Sequence, residues 1–194
     1  SKTSLSRIAM GYEVDVTALQ MVNALCVIAN GGTLFQPQII QRITSQDGLT
    51  MYRFQPKKIR RVIHEGAANK VRDALMAVVS KGGTGTKAQV DGFHVAGKTG
   101  TAKKLKNPRN QGYHKGRYVV SFMGFLPAEN PRLAGIIVVD DPKNKGSRYG
   151  GAVAAPIFSK IAAAAMPYMG IDRRKATRSL GPSTGQVLQS DLID

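Results

Sequence analysis

The chain has 194 residues, 42% hydrophobic and 21% charged, a composition that suits one globular domain with a real core and not a disordered segment. It carries 28 Lys and Arg against 12 Asp and Glu, a formal net charge of +16, and its one cysteine, Cys26, excludes an internal disulfide scaffold. No uninterrupted apolar run reaches the roughly eighteen residues that a bilayer demands; the nearest, 152–171, is broken by Pro156, Lys160 and Pro167, so no membrane-spanning segment is expected.

Residues 14–30 read as a helix with Leu19, Val22, Cys26 and Ala29 on one face, Asp15 or Thr17 as its cap and Gly31-Gly32 as its stop. Residues 33–44 alternate loosely and read as extended, with Pro37 arguing for an edge, and Ser45-Gln46-Asp47-Gly48 is a polar turn. A second helix is expected over 65–81, with Val71, Ala74, Leu75 and Val78 at helical spacing, ended by Gly82-Gly83. Three strands follow, at 93–102, 118–126 and 133–139, and the short turn between Pro127 and Pro131 pairs the last two antiparallel. A long helix over 153–169 puts Val153, Ile157, Ile161, Ala165 and Met169 on one face, with Pro156 in its first turn. Residues 172–194 turn polar and basic and are expected to form a flexible tail beyond a domain spanning 1–171.

The positive charge is clustered. Lys57, Lys58, Arg60 and Arg61 form one group and Arg173, Arg174, Lys175 and Arg178 another. A third group, Lys103, Lys104, Lys106, Arg109, Lys115 and Arg117, has no carboxylate between Ala102 and Val119. Such groups either sit on solvated loops or attract anionic partners. Trp is absent and no aromatics interleave with the basic runs, so nucleic acid is not expected as a partner.

The segment Gly92-Phe93-His94-Val95-Ala96-Gly97-Lys98-Thr99-Gly100-Thr101 carries most of the chemistry. Its first eight residues match the phosphate-loop pattern, and Ile136-Ile137-Val138-Val139-Asp140 mimics an acidic strand. The context argues against a nucleotide site. A phosphate loop follows a buried strand and opens a helix; here Thr86-Lys87-Ala88-Gln89-Val90-Asp91 precedes it, and Gly100, Pro108 and Gly112 follow. The other reading places Lys98-Thr99-Gly100 on a strand edging an active site, with Lys98 and Gly100 on one face and Thr99 and Thr101 on the other.

Several further segments occur in a telling order. They are Thr17-Ala18-Leu19-Gln20, Ala29-Asn30-Gly31-Gly32, Gly83-Thr84-Gly85-Thr86-Lys87-Ala88, Phe122-Met123-Gly124-Phe125-Leu126-Pro127, Asp141-Pro142-Lys143 and the run from Tyr149-Gly150-Gly151 to Pro156-Ile157-Phe158. Over about 7–171 the chain resembles the C-terminal part of the transpeptidase domain of class B penicillin-binding proteins, nearest to the cell-division (septal) type. The resemblance implies an α+β fold: an antiparallel sheet from strands within 93–139, with the last helix packed on one face, as part of the serine β-lactamase-like architecture. It implies peptidoglycan D,D-transpeptidase activity, in which a serine forms an acyl intermediate with a D-Ala-D-Ala stem peptide and is acylated by β-lactams.

The family builds its site from S-x-x-K, S-x-N and K-T-G. Only the third is present: no serine here has Lys three residues later or Asn two later, and Ser4 is followed by Arg7. The nucleophile is therefore expected outside this chain, in an N-terminal half of the same domain, and the chain reads as a piece of a longer or cleaved protein that is inactive alone. By resemblance, Lys98 strengthens the positive potential and bonds the second-motif serine. Thr99 and Thr101 hydroxyls hold the substrate carboxylate, Gly100 lets the substrate lie close, and the Thr101 amide is an oxyanion donor. The resemblance also implies stem peptides, β-lactams, a cell-division glycosyltransferase and divisome proteins as partners, and no cofactor. It implies an extracytoplasmic place at the cytoplasmic membrane, anchored by an N-terminal helix outside this chain. A non-catalytic module of a wall-building complex and a D,D-carboxypeptidase or β-lactamase relative are the alternatives.

The remaining polar candidates read as structural. His64, His94 and His114 lack ligand spacing, so no metal is expected. Asp140 and Asp141 cap the turn at Pro142, and Cys26 is inert core. Residues 103–117 are expected to form a loop beside the site.

Overall fold

The computed structural model describes Leu5, Ile8, Gly11 and residues 14–106, 112–143 and 148–172. The basic group Arg173, Arg174, Lys175 and Arg178 and nearly all of the expected tail, 173–194, lie outside the described residues.

Helix α1 spans Ala18–Ala29. It starts later than the sequence suggests because Thr17, not Asp15, caps it. Thr17 Oγ1 accepts the Gln20 amide at 3.2 Å, and Gln20 Oε1 accepts the Thr17 amide at 2.8 Å, a reciprocal capping box. At the other end Gly32 donates to Val27 O at 2.7 Å in a left-handed conformation (φ +97°), the expected glycine stop. A Cβ there would lie 2.1 Å from Ile63 O.

From Thr33 to Arg61 the chain runs out and back as an antiparallel ribbon: β1 (Thr33–Phe35) pairs with β4 (Lys58–Arg61), and β2 (Arg42–Thr44) with β3 (Thr50–Arg53). The continuous extended segment expected over 33–44 is instead broken between β1 and β2, where Pro37 lacks the N–H a ladder needs. The polar turn falls where expected, with Gly48 (φ +81°) donating to Ser45 O.

Helix α2 (Glu65–Val79) leads through a 3₁₀ turn (Thr86–Ala88) to β5 (Ala96–Leu105), β6 (Tyr113–Leu126) and β7 (Leu133–Asp140), and the chain then enters helix α3 (Gly150–Tyr168). The strands form one antiparallel sheet in the order β5-β6-β7, pairing Thr99 with Phe122 and Phe122 with Ile137. The α+β expectation and the antiparallel β6–β7 pair both hold. β5 begins three residues later than the sequence suggests, because Gly92 (φ +77°) turns the chain and Phe93 pairs back to Val90. β6 begins earlier: its first residues are polar, so nothing apolar marks them, yet they ladder onto the end of β5, with Leu105 opposite Tyr113. The expected loop over 103–117 is thus largely strand, with 107–111 outside the described residues.

Alternation along β6 gives the sheet two apolar faces. Phe122 and Leu126 point to α3, packing with Ala154, Ala155, Phe158, Ala162 and Met166; the Phe122 and Phe158 rings lie 5.0 Å apart. Phe125 points the other way, with Ala96 and Ala128, against Leu25 of α1 and Leu75 and Met76 of α2. Helices therefore cover both faces. At full burial each phenylalanine contributes about 1.5–3 kcal/mol.

The buried faces overlap the expected ones only in part: Ala29 of α1 and Leu75 of α2 pack on the core as the sequence suggests, while the rest of each face is shifted. In α1 the buried residues are Leu25 and Val27 while Leu19 is 62% exposed. In α2 they are Ala68 and Val79, with Val71 and Ala74 exposed. In α3 the stripe is Ala154, Ala155, Phe158, Ala162 and Met166, and Ile157 and Ile161 are 39% and 54% exposed. The alanines let α3 approach the sheet closely around Phe158, which larger isoleucines would prevent. Because α3 starts at Gly150, Pro156 is its seventh residue and not in the first turn; it leaves the Ala152 carbonyl without its usual helical donor. By length and composition α3 would cross a membrane, but here it is the helix packed on the sheet.

Candidate active site

β5 is an edge strand: one side pairs with β6, and no strand among the described residues pairs with the other. Lys98, Thr99, Gly100 and Thr101 lie along this open edge. The strand runs on to Leu105 without opening a helix, so the phosphate-loop reading fails.

Thr99 and Thr101 share the α3 side of the sheet. Thr84, in the turn after α2, places its hydroxyl 3.0 Å from that of Thr99. The Gly150 amide, at the start of α3, donates to Thr101 Oγ1 at 3.2 Å. These contacts need glycine. A Cβ on Gly150 would lie 2.3 Å from Ser121 O and 2.5 Å from Gly100 O, and one on Gly151 would lie 2.1 Å from Thr84 O. The helix start thus sits directly on the strand. Thr84, Thr86, Lys87, Thr99, Thr101 and Tyr149 line the resulting cleft of about 480 Å³. Its hydroxyls, its lysine and a helix N-terminus whose amides carry partial positive charge suit a carboxylate.

Lys98 stands on the opposite side of the strand from the threonines and is exposed. Its ammonium bends back along the edge, donating to Thr99 O at 2.9 Å and reaching Thr99 Oγ1 at 3.5 Å. Gly100 faces the Ser121 side chain, where a Cβ would meet Oγ at 2.3 Å. All four residues singled out in the sequence therefore gather at one edge. Sequence reasoning gave no site role to Thr84, Lys87 or Tyr149; the signal was present in the glycines flanking Thr84 and following Tyr149, which mark close backbone approach.

The other polar candidates sit elsewhere. His94 Nδ1 contacts Glu129 Oε1 at 2.5 Å. Asp140 pairs with Lys104. Asp141, in a left-handed conformation (φ 52°), pairs with Arg117 at 2.8 Å. The hydrogen bond from Arg117, aided by the charges of Arg117, Lys104 and Lys143, holds the Asp141 carboxyl below its ordinary value. The two aspartates thus serve separate cross-strand pairs and form no acid–base couple. Cys26 is half-buried, and that burial pushes its thiol pKa up.

The penicillin binding protein transpeptidase domain family matches residues 1–163. The chain belongs to this family, in its class B branch. It is 40% identical over 168 residues to stage V sporulation protein D of Bacillus subtilis, covering 86% of this chain and 25% of that protein. It is 33% identical over 164 residues to the peptidoglycan D,D-transpeptidase FtsI of Escherichia coli, covering 84% and 25%. Among solved structures, penicillin binding protein 3 of Mycobacterium tuberculosis complexed with aztreonam superposes with a TM-score of 0.75 at 34% identity, covering 94% of this chain and 40% of that one. The chain thus spans about a quarter of the length of those two relatives.

Proposed function

We propose that this chain forms the substrate-carboxylate side of the active site in a serine-type peptidoglycan D,D-transpeptidase, the nucleophile being supplied by a segment outside it. The observation that carries the reading is the open edge of β5, with Thr99 and Thr101 turned together toward Thr84 and the Gly150 amide. An extended stem peptide lies along that edge as an added strand, with Gly100 permitting close approach. The Thr99 and Thr101 hydroxyls donate to the terminal carboxylate of D-Ala-D-Ala, or to that of a β-lactam. The Thr101 amide is one oxyanion donor for the tetrahedral intermediate that forms when the serine oxygen attacks the carbonyl and D-Ala departs. Lys98 adds positive potential and, swung away from Thr99 O, bonds the hydroxyl of a second-motif serine. The amino group of a neighbouring stem resolves the acyl-enzyme. The relatives, one of them a peptidoglycan D,D-transpeptidase, support a place in wall synthesis. The family resemblance extends the proposal to the septum, outside the cytoplasm, with an N-terminal membrane anchor and with cell-division glycosyltransferase and divisome proteins as partners.

Thr99→Val in the intact transpeptidase tests this. It keeps the volume and strand preference and removes the hydroxyl. Acylation by a β-lactam should slow at least about tenfold, the scale of one hydrogen bond to a charged group, with the melting temperature little changed. Acylation at the wild-type rate would remove Thr99 from the site.

A further inference from the structure

The β2–β3 hairpin projects beyond the base formed by β1 and β4, and every residue of β2 and β3 is exposed. A lone two-stranded ribbon is marginal in water, and no third strand among the described residues pairs with this one. Its two faces differ. Ile43 stands opposite Tyr52, 48% and 56% exposed, and the Tyr52 and Phe54 rings meet edge to face at 4.6 Å. On the other face Arg42 stands directly opposite Arg53. Like charges in that position repel, and no carboxylate among the described residues pairs with either. From 33 to 61 the chain has six cations, Arg42, Arg53, Lys57, Lys58, Arg60 and Arg61, against one carboxylate, Asp47.

We propose that the β2–β3 hairpin is a docking edge for an extended acidic segment of a partner protein, which adds to it as a third strand. Three needs of the hairpin converge on that occupant. Its outer rows of N–H and C=O groups call for a partner that offers both in register, which a polypeptide strand does. Its cations call for carboxylates. Its exposed Ile43–Tyr52 face calls for apolar side chains, and a strand alternating acidic and apolar residues presents each to the correct side. A lipid surface would leave the backbone edge unsatisfied. A phosphate polymer would meet the arginines but neither the edge nor the apolar face.

The test uses the intact transpeptidase and a fluorescent eight-residue peptide of alternating Glu and Val, followed by anisotropy. Saturable binding is expected, weakened at least about tenfold in the double variant Arg42→Glu/Arg53→Glu; Arg42→Gln/Arg53→Gln replaces it should the reversal misfold. Methylating alternate peptide amides should weaken binding as well, while β-lactam acylation stays at the wild-type rate in both variants. Failure of the peptide to bind, equal binding by the double variants, or equal binding of a Lys–Val peptide would overturn the proposal. Arginine-dependent binding to phosphatidylglycerol vesicles or poly(glycerol phosphate), with none to the Glu–Val peptide, would overturn it in favour of those surfaces.

Discussion

The sheet β5–β7 and the ribbon β1–β4 are built by the same antiparallel pairing and reach opposite outcomes. In β6, Val120, Phe122, Phe125 and Leu126 are fully buried between helices on both faces. In β2, β3 and β4 nothing is buried at all. Ladder hydrogen bonds are common to both, so they do not account for the difference; apolar area removed from water does. The difference matches their proposed tasks. A site that must hold a carboxylate to within a fraction of an ångström sits on the edge of the packed sheet, and the exposed ribbon keeps its edges open to a partner.

Variants in the intact transpeptidase probe the contrast. Phe122→Ala removes a ring that joins the sheet to α3 and should cost about 3–5 kcal/mol in urea unfolding; a loss under about 1 kcal/mol would mean that the sheet is not the stable half. Gly151→Ala is next. The added methyl meets Thr84 O, so a cost of about 1–3 kcal/mol is expected, together with slower β-lactam acylation as Thr84 is pushed off Thr99; unchanged stability and acylation would show that the helix start has room to move. On the ribbon, Ile43→Ala should leave stability within about 0.5 kcal/mol, and a larger loss would reveal a core that this comparison denies it.

The smallest effect separates the charges of the two regions. The Arg117–Asp141 pair on the sheet lowers the folded-state pKa of Asp141, so its stabilisation is present at neutral pH and lost as pH falls through that depressed value. Arg117→Gln should raise the Asp141 midpoint toward that of an ordinary aspartate in a carboxyl-carbon NMR titration. An unmoved midpoint would assign the shift to other neighbours.

Much of this was legible in the residues. The apolar runs marked β6 and β7 and the short turn paired them; Gly31-Gly32 and Gly82-Gly83 ended α1 and α2 within a few residues. The Lys98–Thr101 segment and its companion segments pointed to the family that the comparison with known proteins bears out. The polar start of β6 was not legible, because a strand that buries nothing there has no apolar signature. The role of Thr84 was legible only in part: Gly83 and Gly85 mark close approach of the backbone, but fifteen positions separate Thr84 from Thr99 and nothing local announces that their hydroxyls meet.

By itself, then, the sequence determined what local chemistry controls: the three helices, the apolar strands of the sheet, glycine stops, strand alternation and the polar turn at the ribbon's tip, but not the exposed strands β3 and β4, which bury nothing. Tertiary structure alone decided which helix faces are buried, that β5 is left open on one side, and that Thr84, Gly150 and Gly151 close around Thr99 and Thr101. The reason is geometric. An alanine-rich helix such as α3 is apolar around most of its circumference, so its 3.6-residue period leaves the stripe through Ile157 and the stripe through Phe158 nearly equivalent. Only the shape of the sheet chooses between them, and it chooses the alanines because they let the helix come close enough for Phe158 to reach Phe122.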